Sequence, residues 1–315
     1  MNKPIVSVIM PAYNTAGTLM QSINSVLSQS MRDLELIVCD DASSDATAQV
    51  LGSIEDPRFR YIRNPVNVGP GASRDRAIAL AYAPWVAFID ADDIWLPERL
   101  ERLLSVAITV PRRMVFDDVM TCHSSPGGLV PWRRLHGDIA FGGSGQSPYD
   151  FGLEGYLGSS RLLIKPLIPI SAIRDAGVMH SSRSFGEDAE YVIRLAHAGL
   201  GFRYLPEALY LYRVRPGSLT ALAGPQDMRL CIESCAALEG WPDNIRVAFH
   251  RKIISLKRNE ALYALADALK GWHFFKAATL VLADPGVLLA LPKRALIYLS
   301  YQFHRRRHRG ASRAD

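Results

Sequence analysis

The fold of this chain can be inferred from one stretch, Trp85-Val86-Ala87-Phe88-Ile89-Asp90-Ala91-Asp92-Asp93-Ile94-Trp95-Leu96-Pro97. Its first five residues are apolar, and a short apolar run bounded by polar residues is typical of a buried strand. The run stops at Asp90, and two more carboxylates follow within the next three residues. Ligands bind beyond the carboxyl ends of the strands in an open parallel sheet, so the stretch predicts a functional cluster here.

Asp90 and Asp92 predict a site for a divalent cation. They are two positions apart with the small Ala91 between them, so both carboxylates can reach one ion. Mg²⁺ and Mn²⁺ take oxygen ligands, commonly one or two carboxylates together with phosphates of a substrate. The alternative is that these acidic residues only begin the next helix, with Asp93 as its cap and Pro97 in its first turn.

Strand and helix patterns alternate four times within about the first hundred residues. Strand-like runs are found at 5–10, 34–39, 59–62 and 85–89. Parallel strands need crossover helices, so this order predicts an α/β fold with a doubly wound, mainly parallel sheet flanked by helices. The polar segments that follow strands or precede helices would then converge on one edge of the sheet.

Further elements are predicted from local patterns. Apolar residues at helical spacing, Leu19, Ile23, Val26 and Leu27, predict one buried face of the first helix. Strand-like runs are found at 114–119 and 159–165 and, on either side of Pro206, at 202–205 and 208–213. The residues at 124–160 are rich in Gly, Ser and Pro without a helical period, which predicts a loop.

The net charge is unevenly distributed along the chain. Of the formal charge of +5, residues 292–315 contribute seven Lys or Arg and one Asp, a net +6, so the rest of the chain carries −1. This distribution argues against a nucleic-acid-binding protein and favours a local basic anchor. A hydrophobic content of 49% is ordinary for a globular protein of this length.

We expect a catalytic domain at 1–222 and a helical C-terminal region at 223–315. The end of the chain is apolar and then basic, but it holds no uninterrupted run near the roughly 20 residues that a membrane-spanning helix needs. This pattern predicts peripheral contact with the anionic cytoplasmic face of an inner membrane. A solvated basic tail behind a core helix is the alternative.

The cysteines favour a reducing, cytoplasmic location. Cys231 and Cys235 are one helical turn apart, a spacing that suits a buried helix face better than a disulfide framework. The residues before the first strand show no signal-peptide pattern, in agreement with that location.

The sequence lacks features that two other enzyme classes require. A dinucleotide-binding oxidoreductase has a Gly-rich turn directly after its first strand, whereas here Pro11-Ala12-Tyr13-Asn14 follows and the Gly69-Pro70-Gly71 segment comes too late. A nucleotidyltransferase would begin with a Gly-rich, basic phosphate loop.

Five segments of the chain resemble the family 2 glycosyltransferases of the GT-A fold, and the resemblance covers about residues 5–220. The segments are 6–14, 35–45, 67–69 with 73–74, 88–93, and 186–188 with 194–196. The resemblance implies a nucleotide-sugar donor, such as a UDP-sugar, and a divalent cation, Mg²⁺ or Mn²⁺.

Donor-binding residues are predicted from this resemblance together with their chemistry. Tyr13 offers a ring for the base, and Asp40 or Asp41 offers acceptors for a uracil imide N–H or ribose hydroxyls. The resemblance implies that Pro11 also lines the nucleoside pocket. Further donor-binding candidates are Asn14, Asn67, Arg74, Asp90 and Arg215. The alternatives are a packing role for Tyr13, helix capping by the two acids, and a solvated helix position for Arg74.

The cation is expected on Asp92, with Asp90 contacting the metal or the ribose. As a Lewis acid it would neutralise the charge that grows on the leaving nucleoside diphosphate. Arg215 stands where the family often has histidine. A guanidinium binds no metal, so the third protein ligand stays open and Arg215 is a candidate to neutralise the diphosphate directly.

Glu187 and Asp188 are the candidate catalytic residues, at the start of a predicted helix. Transfer to a hydroxyl needs a base, and a carboxylate serves if burial or a nearby charge raises its pKa. Acids in this position also favour the helix dipole, which is the alternative. The resemblance favours Asp188 as the base, with Glu187 positioning it or the acceptor. A single in-line displacement with one base predicts inversion at the anomeric carbon.

The sequence also predicts the class of acceptor. The chain lacks the Gln-x-x-Arg-Trp segment of processive synthases, so we expect one sugar per encounter. The acceptor would be a glycan or lipid-linked sugar in exopolysaccharide, capsule or O-antigen assembly. A catalytically inactive homologue that binds nucleotide-sugars is the remaining alternative beside a nucleotidyltransferase.

Overall fold

The computed structural model describes residues 3–125, 128–137, 141–142, 147–215, 225–270 and 279. The strands are β1 (Val6–Ala12), β2 (Leu34–Asp40), β3 (Phe59–Arg63), β4 (Trp85–Phe88), β5 (Ile94–Trp95), β6 (Arg113–Ser125), β7 (Gly128–Arg134), β8 (Tyr149–Phe151), β9 (Leu167–Pro169) and β10 (Gly201–Val214). The helices are α1 (Ala16–Leu27), α2 (Thr47–Gly52), α3 (Pro70–Ala79), α4 (Arg99–Ala107), α5 (Leu153–Gly158), α6 (Ile170–Ala176), α7 (Glu187–His197), α8 (Pro225–Ala236) and α9 (Asp243–Lys270).

These strands form one mixed sheet with the order β3-β2-β1-β4-β9-β6-β10-β5, in which β7 also pairs with β6 and β8 with β10. The first four strands are parallel neighbours, and β6 is parallel to β10. Strand β9 is antiparallel to both β4 and β6, so it joins the two parallel parts. The prediction of an α/β fold with a central sheet flanked by helices is confirmed. The pairing is parallel among β1 to β4 and between β6 and β10, whereas β5, β7, β8 and β9 pair antiparallel with their neighbours.

The first half of the sheet follows the apolar pattern of the sequence. All seven residues of β2 are buried, as expected for a strand covered by helices on both faces. Helix α1 packs on the sheet with Leu19, Ile23 and Val26, none of which is exposed. The helical face predicted from their spacing is therefore confirmed.

The second half of the sheet differs from the prediction because its strands are long and paired non-locally. The strand expected at 114–119 continues to Ser125 as β6. The two short strands expected around Pro206 are one strand, β10, whose register against β6 shifts between Leu205 and Tyr210. A bulge of this kind accommodates a proline inside a strand, so the sequence signal for a break was misleading.

The segment at 124–160 also contains more structure than expected. It was predicted to be a loop, but it contains β7, β8 and α5. The strand predicted at 159–165 begins only at Leu167, as β9. Short strands are stabilised by the strands they pair with, and a sequence pattern of three residues is too short to predict them.

A buried ion pair ties α4 to the sheet. The guanidinium of Arg99 donates to both oxygens of Asp117 at 2.7–3.2 Å and to the main-chain oxygen of Lys165 at 2.7 Å. It also lies over the rings of Trp95 and Tyr210, at 4.5 and 5.0 Å from their centroids. Neither side chain of the pair is exposed by more than 1%. Arg99 of α4 therefore contacts β5, β6 and β10 and the segment just before β9.

The chain divides into two compact units, Met1–Ala223 with Leu230–Phe249 and Gly224–Arg229 with His250–Asp315. In the first unit Cys231 and Cys235 are buried free thiols, as their spacing predicted. In the second, Arg229 pairs with Glu260 at 2.7 Å. No helix within the described residues has the length and apolar character needed to cross a membrane. The predicted basic anchor at 292–315 lies outside the described residues.

Replacing Arg99 with Met is expected to lower the free energy of unfolding by about 3–5 kcal/mol, because Asp117 would remain buried without its cation. Urea denaturation followed by tryptophan fluorescence measures this change. The matched control is Arg102→Met, since Arg102 pairs with Glu207 but is 52% exposed. The control should cost less than about 1 kcal/mol. Equal losses in the two variants would contradict a structural role for the buried pair.

Candidate active site

Three loops meet at the carboxyl ends of β2, β1 and β4, which are neighbours in that order in the sheet. The main-chain N–H of Asp41 donates to the carbonyl of Ala12 at 2.8 Å, and that of Ile89 donates to Ile9 at 3.1 Å. These bonds continue the parallel pairing past the strand ends. The polar loops therefore converge on one edge of the sheet, as the sequence predicts.

Asn14 fixes the loop after β1 against the loop after β2. Its φ of 51° lies in the left-handed region, which asparagine tolerates better than most residues. Its side-chain oxygen accepts bonds from the main-chain N–H groups of Ser44 (2.8 Å) and Asp45 (3.3 Å), and its own N–H donates to Ser43 Oγ at 3.0 Å. Its contacts are therefore within the loops, and donor binding by Asn14 stays a prediction.

Asp41 organises the loop that leads into α3. It accepts bonds from the side-chain amide of Asn64 at 2.7 Å and from the main-chain N–H groups of Val68 at 2.9 Å and Gly69 at 2.8 Å. Asn64 also donates to Ser73 Oγ at 2.9 Å. Sequence reasoning missed Asn64, although its position directly after β3 was a signal that could have identified it.

Asp40 lies fully buried at the end of β2. One of its carboxylate oxygens accepts a bond from the main-chain N–H of Ser43 at 3.0 Å. The other lies 3.5 Å from Arg63 Nε and makes no hydrogen bond with the described residues. This oxygen is closed to solvent, so donor binding by Asp40 stays a prediction.

The remaining residues predicted at the donor edge differ in exposure. Tyr13 is 49% exposed, so its ring is available to a ligand and is not a core packing residue. Pro11 is partly buried within β1, and Asn67 is exposed in the loop before α3. Their roles in donor binding stay predictions.

Two cations and two carboxylates form a closed ring next to this edge. Lys165 Nζ lies 2.7 Å from both Asp90 Oδ2 and Asp188 Oδ2. The Arg74 guanidinium lies 2.8 Å from Asp90 Oδ1 and 2.7 Å from Asp188 Oδ1, and it also reaches Glu187 at 2.9 Å. We call Arg74, Lys165, Asp90 and Asp188 the ion ring. It joins the first turn of α7 to the loop after β4.

The ion ring determines the protonation of its carboxyl groups. Burial opposes ionisation of Asp188, but Arg74 and Lys165 outweigh burial and hold the pKa of its carboxyl well below the ordinary value. The pKa of Asp90 is lowered in the same way, burial being outweighed by the same two cations. The upward shift that a base was expected to have is not found at Asp188. Burial and the neighbouring Asp188 raise the pKa of Glu187 instead.

Asp93 belongs to the sheet and does not cap α4. The hydroxyl of Tyr210 donates to one of its oxygens at 2.6 Å, and the main-chain N–H of Arg213 donates to the other at 2.8 Å. Burial, with the nearby charges of Asp92 and Asp90, raises the pKa of this carboxyl well above its ordinary value. Both oxygens of Asp93 are therefore held by β10, and the capping alternative for this residue is wrong.

Arg213 of β10 and Arg215, which follows the end of this strand, also reach the loop after β4. Arg213 is buried and donates to the main-chain oxygen of Asp92 at 2.7 Å and to Gln21 Oε1 at 2.8 Å. Arg215 Nε lies 2.7 Å from Asp92 Oδ2. Arg215 thus stands beside the carboxylate predicted to bind the cation, at a place where its charge would also meet a diphosphate.

The fit of this site to a divalent cation rests on Asp92. Within the described residues no group of three or more Asp, Glu, His or Cys side chains could hold a metal ion. Both oxygens of Asp90 are held by cations, so a metal there would have to displace Arg74 or Lys165. Mg²⁺ can bind one protein carboxylate together with substrate phosphates, and Asp92 meets that requirement if Arg215 moves from it.

Residues that sequence reasoning missed include three that contact the predicted acids. By sequence alone Lys165 belongs to the strand-like run at 159–165, and Tyr210 and Arg213 belong to the run at 208–213. No local motif surrounds Lys165 or Tyr210, whereas Arg213 lies in the segment 212–218, which resembles the closing loop of the family. Their contacts with Asp90, Asp92, Asp93 and Asp188 are spaced 23 to 121 residues apart in sequence, so only the fold reveals them.

Part of the chain is similar to a known protein family. Residues 7–150 match the model of Glycosyl transferase family 2. The succinoglycan biosynthesis protein ExoO of Rhizobium meliloti is 27% identical over 310 residues, covering 92% of this chain and 85% of ExoO. The Escherichia coli UDP-Glc:alpha-D-GlcNAc-diphosphoundecaprenol beta-1,3-glucosyltransferase WfgD is 39% identical over 108 residues, covering 34% of this chain and 43% of WfgD. The match therefore spans less than half of that second relative.

Solved structures with this fold include TarS of S. aureus. The TarS 1–349 fragment in complex with UDP-GlcNAc has a TM-score of 0.65 and 18% sequence identity, covering 84% of this chain and 74% of that one. Its complex with UDP has a TM-score of 0.61. At this level of identity the likeness establishes the fold alone.

Asp188→Asn tests the charge of the ion ring through stability. A carboxyl whose pKa is lower in the folded than in the unfolded chain stabilises the fold above the unfolded value, about 3.9, and this contribution is lost as the pH falls through the folded value. The variant should therefore unfold more easily than the native chain at pH 7, and the difference should shrink below about pH 4. Chemical denaturation at pH 7 and pH 3 measures it. An equal difference at both pH values would contradict the shift.

Proposed function

We propose that the protein is an inverting, metal-dependent family 2 glycosyltransferase of the GT-A fold, because residues 7–150 match the model of that family. It transfers one sugar from a UDP-sugar to a hydroxyl of a glycan or lipid-linked acceptor. The observation that carries the proposal is the ion ring, which holds Asp188 in place beside the acidic loop after β4. A donor and a base must be adjacent for sugar transfer, and the ion ring connects the two candidate regions.

The donor would bind across the ends of β1 and β2. The exposed ring of Tyr13 suits stacking on a base, and the carboxylate of Asp40 or Asp41 would accept a bond from a uracil N–H or a ribose hydroxyl. WfgD is named for a UDP-Glc donor, and TarS has been solved with UDP-GlcNAc and UDP. These names support a UDP-sugar, with Pro11, Asp41 and the loop at Asn67 as the remaining pocket.

The diphosphate would lie against Asp92 and Arg215. When bound, Mg²⁺ or Mn²⁺ supplies Lewis-acid stabilisation of the leaving diphosphate. Asp92 would hold the cation, with Asp90 as a second contact if it gives up one of its ion pairs. Arg215 would turn from Asp92 to a phosphate oxygen, since a diphosphate offers its guanidinium the same charge-assisted bonds. Arg74 would contribute its positive charge from behind Asp90.

Asp188 would act as the base. The acceptor oxygen attacks the anomeric carbon from the face opposite the diphosphate, the bond from that carbon to the diphosphate oxygen breaks with its electron pair leaving on UDP, and the acceptor proton passes to Asp188. One displacement of this kind inverts the anomeric centre. The lowered pKa keeps Asp188 ionised at neutral pH, but a carboxylate held by Arg74 and Lys165 is a weak base, so it would take the proton only as one of these ion pairs loosens in the complex. Glu187 beside it would orient the carboxylate or the acceptor.

The acceptor and the cellular setting are proposed from the relatives. ExoO is named for succinoglycan biosynthesis and WfgD for a diphosphoundecaprenol-linked acceptor, which supports polysaccharide assembly on a lipid carrier. We propose a cytoplasmic enzyme whose catalytic domain is 1–222 and whose C-terminal region, 223–315, contacts the anionic inner membrane through its basic end.

A screen of UDP-sugars tests this function. Release of UDP with Mn²⁺ is measured for the native chain, Asp92→Ala, Asp188→Asn and the control Asp175→Ala, whose side chain is 68% exposed. We expect one donor to be turned over. Loss of Asp92 should weaken metal-dependent UDP binding by at least about tenfold. Loss of Asp188 should leave UDP binding in place and lower turnover by at least about 100-fold.

The outcomes separate the alternatives. UDP binding without turnover of any donor by the native chain would favour an inactive nucleotide-sugar-binding homologue. Absence of UDP binding with and without metal would overturn the enzyme proposal. Full turnover after chelation of divalent cations would remove the metal from the mechanism and leave Arg215 as the charge that stabilises the leaving diphosphate.

A further inference from the structure

Lys165 lies just before β9 with only 2% of its surface exposed. Its ammonium makes two equal contacts, 2.7 Å to Asp90 and 2.7 Å to Asp188. Its main-chain oxygen is held at 2.7 Å by the buried guanidinium of Arg99. Both ends of the residue are therefore fixed, and the ammonium is directed to the midpoint between two carboxylates on different elements.

Packing alone does not explain a lysine at this position. The small cavity beside it is lined by the apolar side chains of Phe88, Ile164, Pro166 and Val192 together with Asp188, His180 and Tyr191. A buried ammonium is costly to desolvate, and an apolar side chain of the same length serves packing as well or better. The ammonium of Lys165 therefore serves its two carboxylate partners, each 2.7 Å away.

The two partners belong to opposite sides of the site. Asp90 follows β4 at the edge where we place the donor, and Asp188 begins α7, where we place the base. Arg74 bridges the same two carboxylates from α3, using their other oxygens. Without Lys165 the Oδ2 atoms of both acids would lose their partner, and the mutual repulsion of the two carboxylates would turn them apart.

We propose that Lys165 is a positioning residue for sugar transfer: its ammonium fixes the carboxylate of Asp188 relative to Asp90. The inference rests on the proposed function, in which Asp188 takes the acceptor proton. Lys165 itself touches neither donor nor acceptor and acts through the two acids. A misplacement of a catalytic group by about 1 Å lowers a rate by roughly 100-fold. Loss of the Lys165 charge should therefore change kcat more than the affinity for UDP.

Lys165→Met is the main test, because methionine keeps the length of the side chain and removes its charge. UDP release from UDP-glucose and from UDP-GlcNAc is measured with Mn²⁺. We expect kcat to fall by roughly 10- to 100-fold, while the affinity for UDP changes by less than about threefold. The matched control is Lys252→Met, since Lys252 is also a buried lysine but belongs to the second unit. Its kcat should equal that of the native chain.

A double-mutant cycle separates positioning from general destabilisation. If Lys165 acts through Asp188, adding Lys165→Met to Asp188→Asn lowers kcat by less than about twofold beyond the single Asp188→Asn change. A full additional 10-fold loss would overturn the proposal. Equal losses of UDP affinity and kcat in Lys165→Met would overturn it as well, because a merely structural role affects both.

A crystal structure of Lys165→Met with UDP decides the proposal independently of turnover. The carboxylate of Asp188 should leave its position opposite Asp90, and an unmoved Asp188 would overturn the inference. If the single variant does not fold, Lys165→Met combined with Asp90→Asn removes one charge of each sign and is examined in the same way. Failure of the native chain to turn over any donor would count against the proposed function and leave this structural result to stand by itself.

Discussion

The contact between Lys165, Arg74 and the carboxylates of Asp90 and Asp188 is the constraint on which the rest of the site depends. Four buried or half-buried charges are stable together because each oxygen of both acids faces a cation at 2.7–2.8 Å. Removing any one member would leave an uncompensated charge in a poorly solvated place. The ion ring therefore fixes the relative positions of the loop after β4, helix α3 and helix α7.

Carboxylates also hold the surrounding segments in a second way, because they accept hydrogen bonds from main-chain N–H groups. Asp41 accepts two such bonds from the loop before α3, and Asp93 accepts one from β10. Asp118 does the same for the residues after β7, taking the N–H groups of His136 and Gly137. Loop N–H groups have no strand partner, so a buried acid satisfies several of them at once. Each of these acids therefore has a structural role in the segment whose N–H groups it accepts.

The first half of the fold was predictable because its information is local. Strands β1 to β4 are apolar runs with helices between them, and parallel pairing with right-handed crossovers leaves few other arrangements. The edge at which Tyr13, Asp41 and Asp92 meet follows from that order. Beyond β4 the prediction failed at strand ends and in the segment at 124–160, because β7 to β9 exist through pairing with distant strands.

The sequence by itself determined the fold class, the acidic loop after β4 and the acids at the start of α7, since each is a short motif of neighbouring residues. Only the tertiary structure decided which charges compensate those acids. Lys165 is 75 residues from Asp90 and 23 from Asp188, in a segment without periodicity, so no local pattern connects them. The pKa of Asp188 was therefore beyond sequence reasoning, because a pKa depends on burial and on charges within a few ångströms, and those distances are set by folding.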